Sequence, residues 1–190
     1  MYLSPPQQLE FYAKQLGDKE PYILCEYAHS IGNSTGNLHK YTELFDQYPC
    51  LQGGFIWDWK DQALRHQTED GIEFLAYGGG DFGDSPNDGK FSGDGIIFAD
   101  GTITPKLIEV KTCYRNIEFE QLNLATGEVK IINKFLFQSL KDFKLIWTVE
   151  EEGEVLESGV QLLDAAPGIS TINHIAISNS FYKFTKRKSD

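Results

Sequence analysis

A glutamate that directly follows a short apolar run is the first residue whose position indicates chemistry. Glu26 ends the segment 21–26, and Tyr27, His29 and Asn33 come soon after it. A carboxylate at the end of a buried strand can act as a nucleophile, and a neighbouring hydroxyl or imidazole can set its protonation state. The alternative is an acid that caps the next helix or pairs with a lysine, and position alone favours that alternative.

A second candidate has an aspartate between two tryptophans. Trp57, Asp58 and Trp59 end the next apolar run, residues 51–59. An indole at the mouth of a barrel can support the apolar face of a sugar ring, while a carboxylate binds its hydroxyls. Tryptophans in a core strand ordinarily pack, so we expect at least one of these two to be a packing residue.

The segment 81–94 holds four aspartates and one asparagine. It lacks the alternating acids and the final glutamate of an EF-hand loop. The remaining interpretation is a polar loop, bounded by aromatics, that binds a hard cation or sugar hydroxyls. The histidines His39, His66 and His174 have no metal-ligand spacing and are interpreted as surface or packing residues.

These residues require elements that bring them together. The predicted strands are 21–26 and 51–59, and the predicted helices are 5–17, one from 34 or 35 to 48, and one from 105. Strand, helix, strand with almost no polar alternation favours parallel β/α units. Residues 60–104 show little periodicity and are predicted to be a long functional loop.

The second half of the chain has a different pattern. Its β-type runs, separated by turn signals, are 117–120, 129–132, 145–149 and 169–177. Strands at a spacing of roughly ten residues with such turns are typical of an antiparallel β-sandwich. The sequence therefore predicts an α/β domain over residues 1–116 and an all-β domain over 117–190.

Charge and composition exclude other classes of function. The chain has 28 acidic and 17 basic residues and a formal net charge of −11. This argues against nucleic acid or an anionic membrane as a partner, since both reward clustered Lys and Arg. No run approaches about 18 apolar residues, and no signal-peptide pattern is present. Three widely spaced cysteines (Cys25, Cys50, Cys113) predict reduced thiols and a cytoplasmic location.

Three motifs stand in the first 90 residues. They read Ile-Leu-Cys-Glu-Tyr-Ala-His-Ser-Ile-Gly-Asn-Ser (23–34), Leu-Gln-Gly-Gly-Phe-Ile-Trp-Asp-Trp-Lys-Asp-Gln (51–62) and Tyr-Gly-Gly-Gly-Asp-Phe-Gly-Asp-Ser-Pro-Asn-Asp (77–88). In order and spacing they resemble glycoside hydrolase family 2, in particular its large lactose-cleaving β-galactosidases. The resemblance implies hydrolysis of terminal β-D-galactose by a retaining double displacement. It also implies the C-terminal part of a (β/α)8 TIM-type barrel, followed by an immunoglobulin-like antiparallel β-sandwich that is incomplete at its C-terminal end.

The resemblance implies catalytic and sugar-binding roles for individual residues. Glu26 matches the nucleophile, and Tyr2 falls near a tyrosine that assists it. His29 matches a ligand of a sugar hydroxyl, and Trp57 matches the tryptophan that stacks on galactose. Trp59 is left as the packing residue of the pair.

Asp88, Phe91 and Asp94 match a loop near the galactose 6-hydroxyl. Phe91, through its backbone carbonyl, and Asp94 also match a sodium site. The best-known members of the family have asparagine at the Asp94 position.

The resemblance implies Mg²⁺ and Na⁺ as cofactors, with the magnesium ligands and the acid/base glutamate upstream of Tyr2. A retaining glycosidase needs two carboxyls about 5 Å apart, and this chain supplies the nucleophile alone. We therefore expect an inactive internal piece. Its partners are a β-galactoside and the rest of the polypeptide or a complementary subunit, in an oligomer. The alternative is a non-catalytic carbohydrate-binding or assembly fragment.

Overall fold

Two parallel strands and three helices form the framework of the first part of the computed structural model. The structure describes residues 4–17, 19–124 and 126–177, and the chain divides into two units, 1–114 and 115–190. The elements of the first unit are α1 (Pro6–Leu16), β1 (Tyr22–Tyr27), α2 (His39–Gln47), β2 (Leu51–Ile56), β3 (Leu64–Gln67), β4 (Glu73–Ala76) and α3 (Pro105–Cys113).

β1 and β2 pair in parallel, which confirms the predicted β/α arrangement. Gly54 of β2 lies opposite Leu24, and a Cβ on this glycine would be 2.7 Å from the Leu24 Cβ. The glycine therefore permits the close approach of the two strands. Helices α1, α2 and α3 cover them, and the buried core comprises Leu9, Ala13, Leu24, Tyr27, Leu38, Leu44, Cys50, Leu51, Ile96 and Val110.

The helices begin where the sequence predicts, with one exception. α1 and α3 both begin at prolines, and α1 ends before Gly17, whose φ is 56°. α2 begins at His39 and not at residue 34 or 35. The reason is that Thr35 and Asn37 have φ of 67° and 59°, outside the helical region.

Two other predictions about the first unit are wrong. β2 ends at Ile56, so Trp57 and Trp59 follow the strand and do not belong to it. Residues 60–104 are not irregular throughout, because β3 and β4 form an antiparallel hairpin within them. The missed signal is Asp70-Gly71, a turn dipeptide between two short runs, and Gly71 N–H donates to the Thr68 carbonyl at 2.9 Å.

The second unit is rich in β-strands. Its elements are β5 (Ile117–Asn123), β6 (Glu128–Asn133), a 3₁₀ turn (Leu140–Asp142), β7 (Lys144–Glu151), β8 (Glu154–Leu162) and β9 (Ser170–His174). β5, β6 and β9 form an antiparallel sheet, and β7 and β8 form a separate hairpin. The sequence did not predict strand β8. Small antiparallel sheets are thus present, and an immunoglobulin-like sandwich is not confirmed. Within the described ranges, no helix has the length and apolar character needed to cross a membrane.

Candidate active site

Glu26 and His29 form a hydrogen-bonded pair at the end of β1. The His29 Nε2 lies 2.8 Å from the Glu26 Oε2, and the two side chains are only 16% and 12% exposed. Ala28, with φ of 47°, turns the chain after the strand, so His29 returns towards the carboxylate. A protonated Nε2 donates to Glu26, which orients one carboxylate oxygen and leaves the other available for chemistry.

Tyr27 does not take part in this pair, contrary to the expectation that its hydroxyl acts on Glu26. Consecutive residues of a strand face opposite sides, and Tyr27 is buried in the core. Its hydroxyl hydrogen-bonds the Tyr114 hydroxyl, and burial raises the pKa of Tyr27. The Tyr27 hydroxyl is therefore a core group, and its proton is held inside the fold.

Trp57 follows β2 and lies beside the pair. Its ring stacks near the His29 imidazole, with centroids 6.4 Å apart and 30° between the planes. The Phe91 ring approaches the same imidazole edge-on, with centroids 6.5 Å apart. His29 is thus flanked by two aromatic rings. Trp59 is 57% exposed and Trp57 36%, so the interpretation of Trp59 as the packing residue is wrong for this chain.

The segment after the β3–β4 hairpin forms a cavity of about 370 Å³ next to Trp57. Four predicted site residues line it: Trp57, Asp88, Phe91 and Asp94. Glu26 and His29 are not among its lining residues. They connect to the cavity through the contacts of the His29 ring with Trp57 and Phe91.

Asp94 is a buried carboxylate. It is 1% exposed, and neither of its oxygens accepts a hydrogen bond of normal geometry within the part of the chain that the structure describes. Burial raises the pKa of the Asp94 carboxyl, and the nearby Trp57 indole N–H offsets this only in part. Asp58 raises the pKa further, whereas His29 lowers it. A buried carboxylate in this state requires a proton or a cation.

Backbone hydrogen bonds hold these segments together. Asp58 N–H donates to the Asp94 carbonyl at 2.6 Å, and Ile96 N–H donates to the Asp58 carbonyl at 2.8 Å. Lys106 Nζ donates to the carbonyls of Ser30 and Gly95. Lys106 is a site residue that the sequence reasoning missed. The available signal is a lysine in the first turn of a helix, where the helix dipole disfavours a cation.

Tyr2 and the metal ligands are the remaining predictions about the site. Tyr2 lies outside the described residues. Across residues 4–17, 19–124 and 126–177, no group of three or more His, Cys, Asp or Glu side chains is arranged to hold a metal ion.

Comparison with known proteins relates this arrangement to a family. Residues 1–119 match the profile described as "Glycosyl hydrolases family 2, TIM barrel domain", and residues 129–184 match "Beta-galactosidase, domain 4". A β-galactosidase of Priestia megaterium is 56% identical over 167 residues, which is 88% of this chain and 16% of that protein. One from Clostridium acetobutylicum is 47% identical over 161 residues, 85% of this chain and 18% of that protein. One from Leuconostoc mesenteroides is 46% identical over 153 residues, 79% of this chain and 15% of that protein.

Proposed function

The chain belongs to glycosyl hydrolase family 2, and on that premise we propose that it carries part of the active site of a β-galactosidase. The proposed enzyme removes terminal β-D-galactose from β-galactosides such as lactose. The activity is that of a longer polypeptide, since the chain spans 15 to 18% of the length of the three relatives described above. The observation that carries the proposal is the Glu26–His29 pair at the end of β1, beside Trp57 at the end of the parallel β2.

Glu26 is the proposed nucleophile of a retaining double displacement. Its carboxylate oxygen bonds to the anomeric carbon while the glycosidic C–O bond breaks, and the leaving oxygen takes a proton from an acid elsewhere in the polypeptide. Water then gives a proton to the base form of that acid, attacks the same carbon and releases the Glu26 carboxylate, giving net retention. His29 orients the carboxylate, and Tyr2, outside the described residues, is the proposed assistant to the nucleophile.

The cavity beside Trp57 is the proposed galactose site. Trp57 supplies an exposed aromatic face for the apolar side of the ring, and His29 supplies an imidazole for a hydroxyl. Asp88, Phe91 and Asp94 are the residues proposed to lie at the 6-hydroxyl end of the sugar. The volume of about 370 Å³ lies within the range of small-molecule sites.

Asp94 fits a hard cation such as sodium, because its buried carboxylate oxygens have no hydrogen-bond partner of normal geometry among the described residues. Asp94 and the Phe91 carbonyl are the proposed ligands from this chain. The ion, when bound, supplies a positive charge that offsets the buried carboxylate and orients a sugar hydroxyl. The magnesium ligands are proposed to come from the rest of the polypeptide.

The second unit is proposed to be an immunoglobulin-like sandwich domain that starts near Ile117, after a barrel portion that ends near residue 116. Ile131 of β6 and Leu145 of β7 belong to one apolar cluster, so the two sheets share a core, as in a sandwich. We place the protein in the cytoplasm, because none of its three cysteines, all of them described, is in a disulfide. The proposed assembly is an oligomer.

Azide rescue tests the role of Glu26. The host is the Priestia megaterium β-galactosidase in which this chain replaces the matching segment, called the hybrid enzyme below. Glu26→Ala should abolish hydrolysis, because the nucleophile is gone. With azide and a dinitrophenyl β-galactoside it should form the α-galactosyl azide, since azide then attacks the anomeric carbon directly.

Glu43→Ala, at an exposed glutamate of α2, is the matched control and should keep full activity. Formation of the β-galactosyl azide would instead identify Glu26 as the acid/base. A folded hybrid enzyme without galactosidase activity would contradict the proposed function.

A further inference from the structure

Lys106 links the two halves of the proposed site through backbone carbonyls. Its Nζ donates two hydrogen bonds, one to the Ser30 carbonyl at 2.7 Å and one to the Gly95 carbonyl at 2.5 Å. Ser30 directly follows His29, and Gly95 directly follows Asp94. One ammonium group therefore joins the residue that follows His29 to the residue that follows Asp94.

Helix preference does not explain the position of this lysine. Lys106 is the second residue of α3, where the positive end of the helix dipole disfavours a cation, whereas the exposed Lys111 in the last turn suits the dipole. Lys106 is also half-buried, so its ammonium requires acceptors in place of water. The two carbonyls supply them, and such charge-assisted bonds are among the stronger ones in proteins.

Lys106 closes a ring of hydrogen bonds between the chain segments that carry His29, Trp57 and Asp94. Ser30 N–H donates to the Trp57 carbonyl at 2.8 Å, and Asp58 N–H donates to the Asp94 carbonyl at 2.6 Å. Because Trp57 and Asp58 are consecutive, these two hydrogen bonds connect Ser30 to Asp94 on one side of the ring. Lys106 connects Ser30 to Gly95 on the other side, so the ring is open without the Lys106 side chain.

The surroundings of Gly95 favour this contact. The Gly95 N–H donates to the Asp61 Oδ1 at 2.7 Å, and its carbonyl accepts from Lys106. A Cβ at this position would lie 2.0 Å from the Asp61 backbone nitrogen, so only glycine fits. Both backbone polar groups of Gly95, the residue that follows Asp94, are thus bound by side chains.

We propose that Lys106 is a positioning residue that sets the separation between the Glu26–His29 pair and Asp94. This inference rests on the proposed function, in which Glu26 attacks the anomeric carbon while Asp94 acts at the 6-hydroxyl end of the same sugar. The ring fixes Ser30 and Gly95, the residues that follow His29 and Asp94, and so fixes the separation of the two groups. That separation determines how well the 6-hydroxyl is held in the transition state. Lys106 therefore controls the preference for galactosides that carry a 6-hydroxyl.

Hydrogen exchange on the 190-residue chain tests the link without any assay of activity. In Lys106→Met, the amides of Ser30, Asp58 and Gly95 should exchange about tenfold faster, since the open ring frees both segments. Lys111→Met, on the same helix, should leave them unchanged. Unchanged exchange in Lys106→Met would overturn the proposal.

The hybrid enzyme tests the consequence for specificity. The measurement is the ratio of kcat/KM for nitrophenyl β-D-galactoside to that for the β-D-fucoside, which lacks the 6-hydroxyl. Lys106→Met should lower this ratio about tenfold, the size expected for loss of a charge-assisted hydrogen bond. Lys106→Arg should restore most of it, and Lys111→Met should not change it.

A loss of folded protein would reduce both rates equally. An unchanged ratio would therefore make Lys106 a merely structural residue and overturn the proposal. If the unaltered hybrid enzyme hydrolyses neither substrate, the proposed function and the specificity role fail together. Hydrogen exchange then still decides separately whether Lys106 links the two segments.

Discussion

Replacing Asp94 by asparagine should stabilise the chain at neutral pH when no sodium is present. Asp94 is 1% exposed, and burial raises the pKa of its carboxyl. The folded state therefore disfavours the ionised carboxylate, and at neutral pH this lowers the free energy of unfolding. This destabilisation declines as the pH falls through the raised pKa of Asp94, and it is absent below the ordinary aspartate pKa, about 3.9. Asn keeps the shape and removes the charge.

Asparagine keeps a buried carbonyl acceptor, so the expected gain is the additional desolvation cost of the charged carboxylate over a neutral group, about 1–3 kcal/mol. We expect Asp94→Asn to raise the free energy of unfolding by that amount at pH 7 and by much less near pH 4. The assay is urea unfolding followed by tryptophan fluorescence, in choline chloride. Trp57 and Trp59 report on the first unit.

Sodium in place of choline at the same ionic strength should stabilise the unaltered chain and not the variant. A sodium concentration ten times Kd corresponds to about 1.4 kcal/mol. Asp84→Asn, at an exposed aspartate in the same segment, is the control and should change stability by less than about 0.5 kcal/mol. A variant less stable than the parent at pH 7, or a difference independent of pH, would refute the reasoning.

Three other changes should have distinct effects. Trp57→Ala should lower kcat/KM of the hybrid enzyme about tenfold or more, whereas Trp59→Ala, at a more exposed residue, should cost under about 1 kcal/mol and leave kinetics unchanged. Equal kinetic losses would contradict this assignment. Gly54→Ala should destabilise by about 1–3 kcal/mol in urea unfolding because its Cβ would meet β1, while Gly36→Ala, with open space around it, should be near neutral. The isolated chain should hydrolyse no nitrophenyl β-galactoside and should bind a dye for apolar surface through the exposed side chains of β1 and β2. Hydrolysis by the pure chain would mean that a second carboxyl lies within it.

The sequence predicts those features of the site that depend on local pattern. Glu26 and Trp57 follow or end apolar runs, and runs without polar alternation pair in parallel, so both residues come to the same end of β1 and β2. The helix starts at prolines are local signals too. These features need no knowledge of the rest of the fold.

Other features depend on contacts between distant residues and were not predictable. The Tyr27 hydroxyl meets Tyr114, 87 residues away, and the direction of a strand side chain is invisible in a run that is apolar on both faces. Lys106 reaches carbonyls 76 and 11 residues away. The late start of α2 follows from positive φ at Thr35, a β-branched residue for which sequence preference indicates the opposite.

Covalent labelling of the hybrid enzyme with a 2-deoxy-2-fluoro-galactosyl fluoride tests the central claim most directly. The 2-fluoro group slows release of the glycosyl ester, so the nucleophile retains the sugar. Trypsin releases the peptide of residues 20–40, in which Glu20 and Glu26 are the two side-chain carboxylates. We expect the added mass in this peptide, with fragment ions placing it on Glu26. A label on Glu20 or in any other peptide, in an enzyme that the reagent inactivates, would contradict the assignment of Glu26 as the nucleophile.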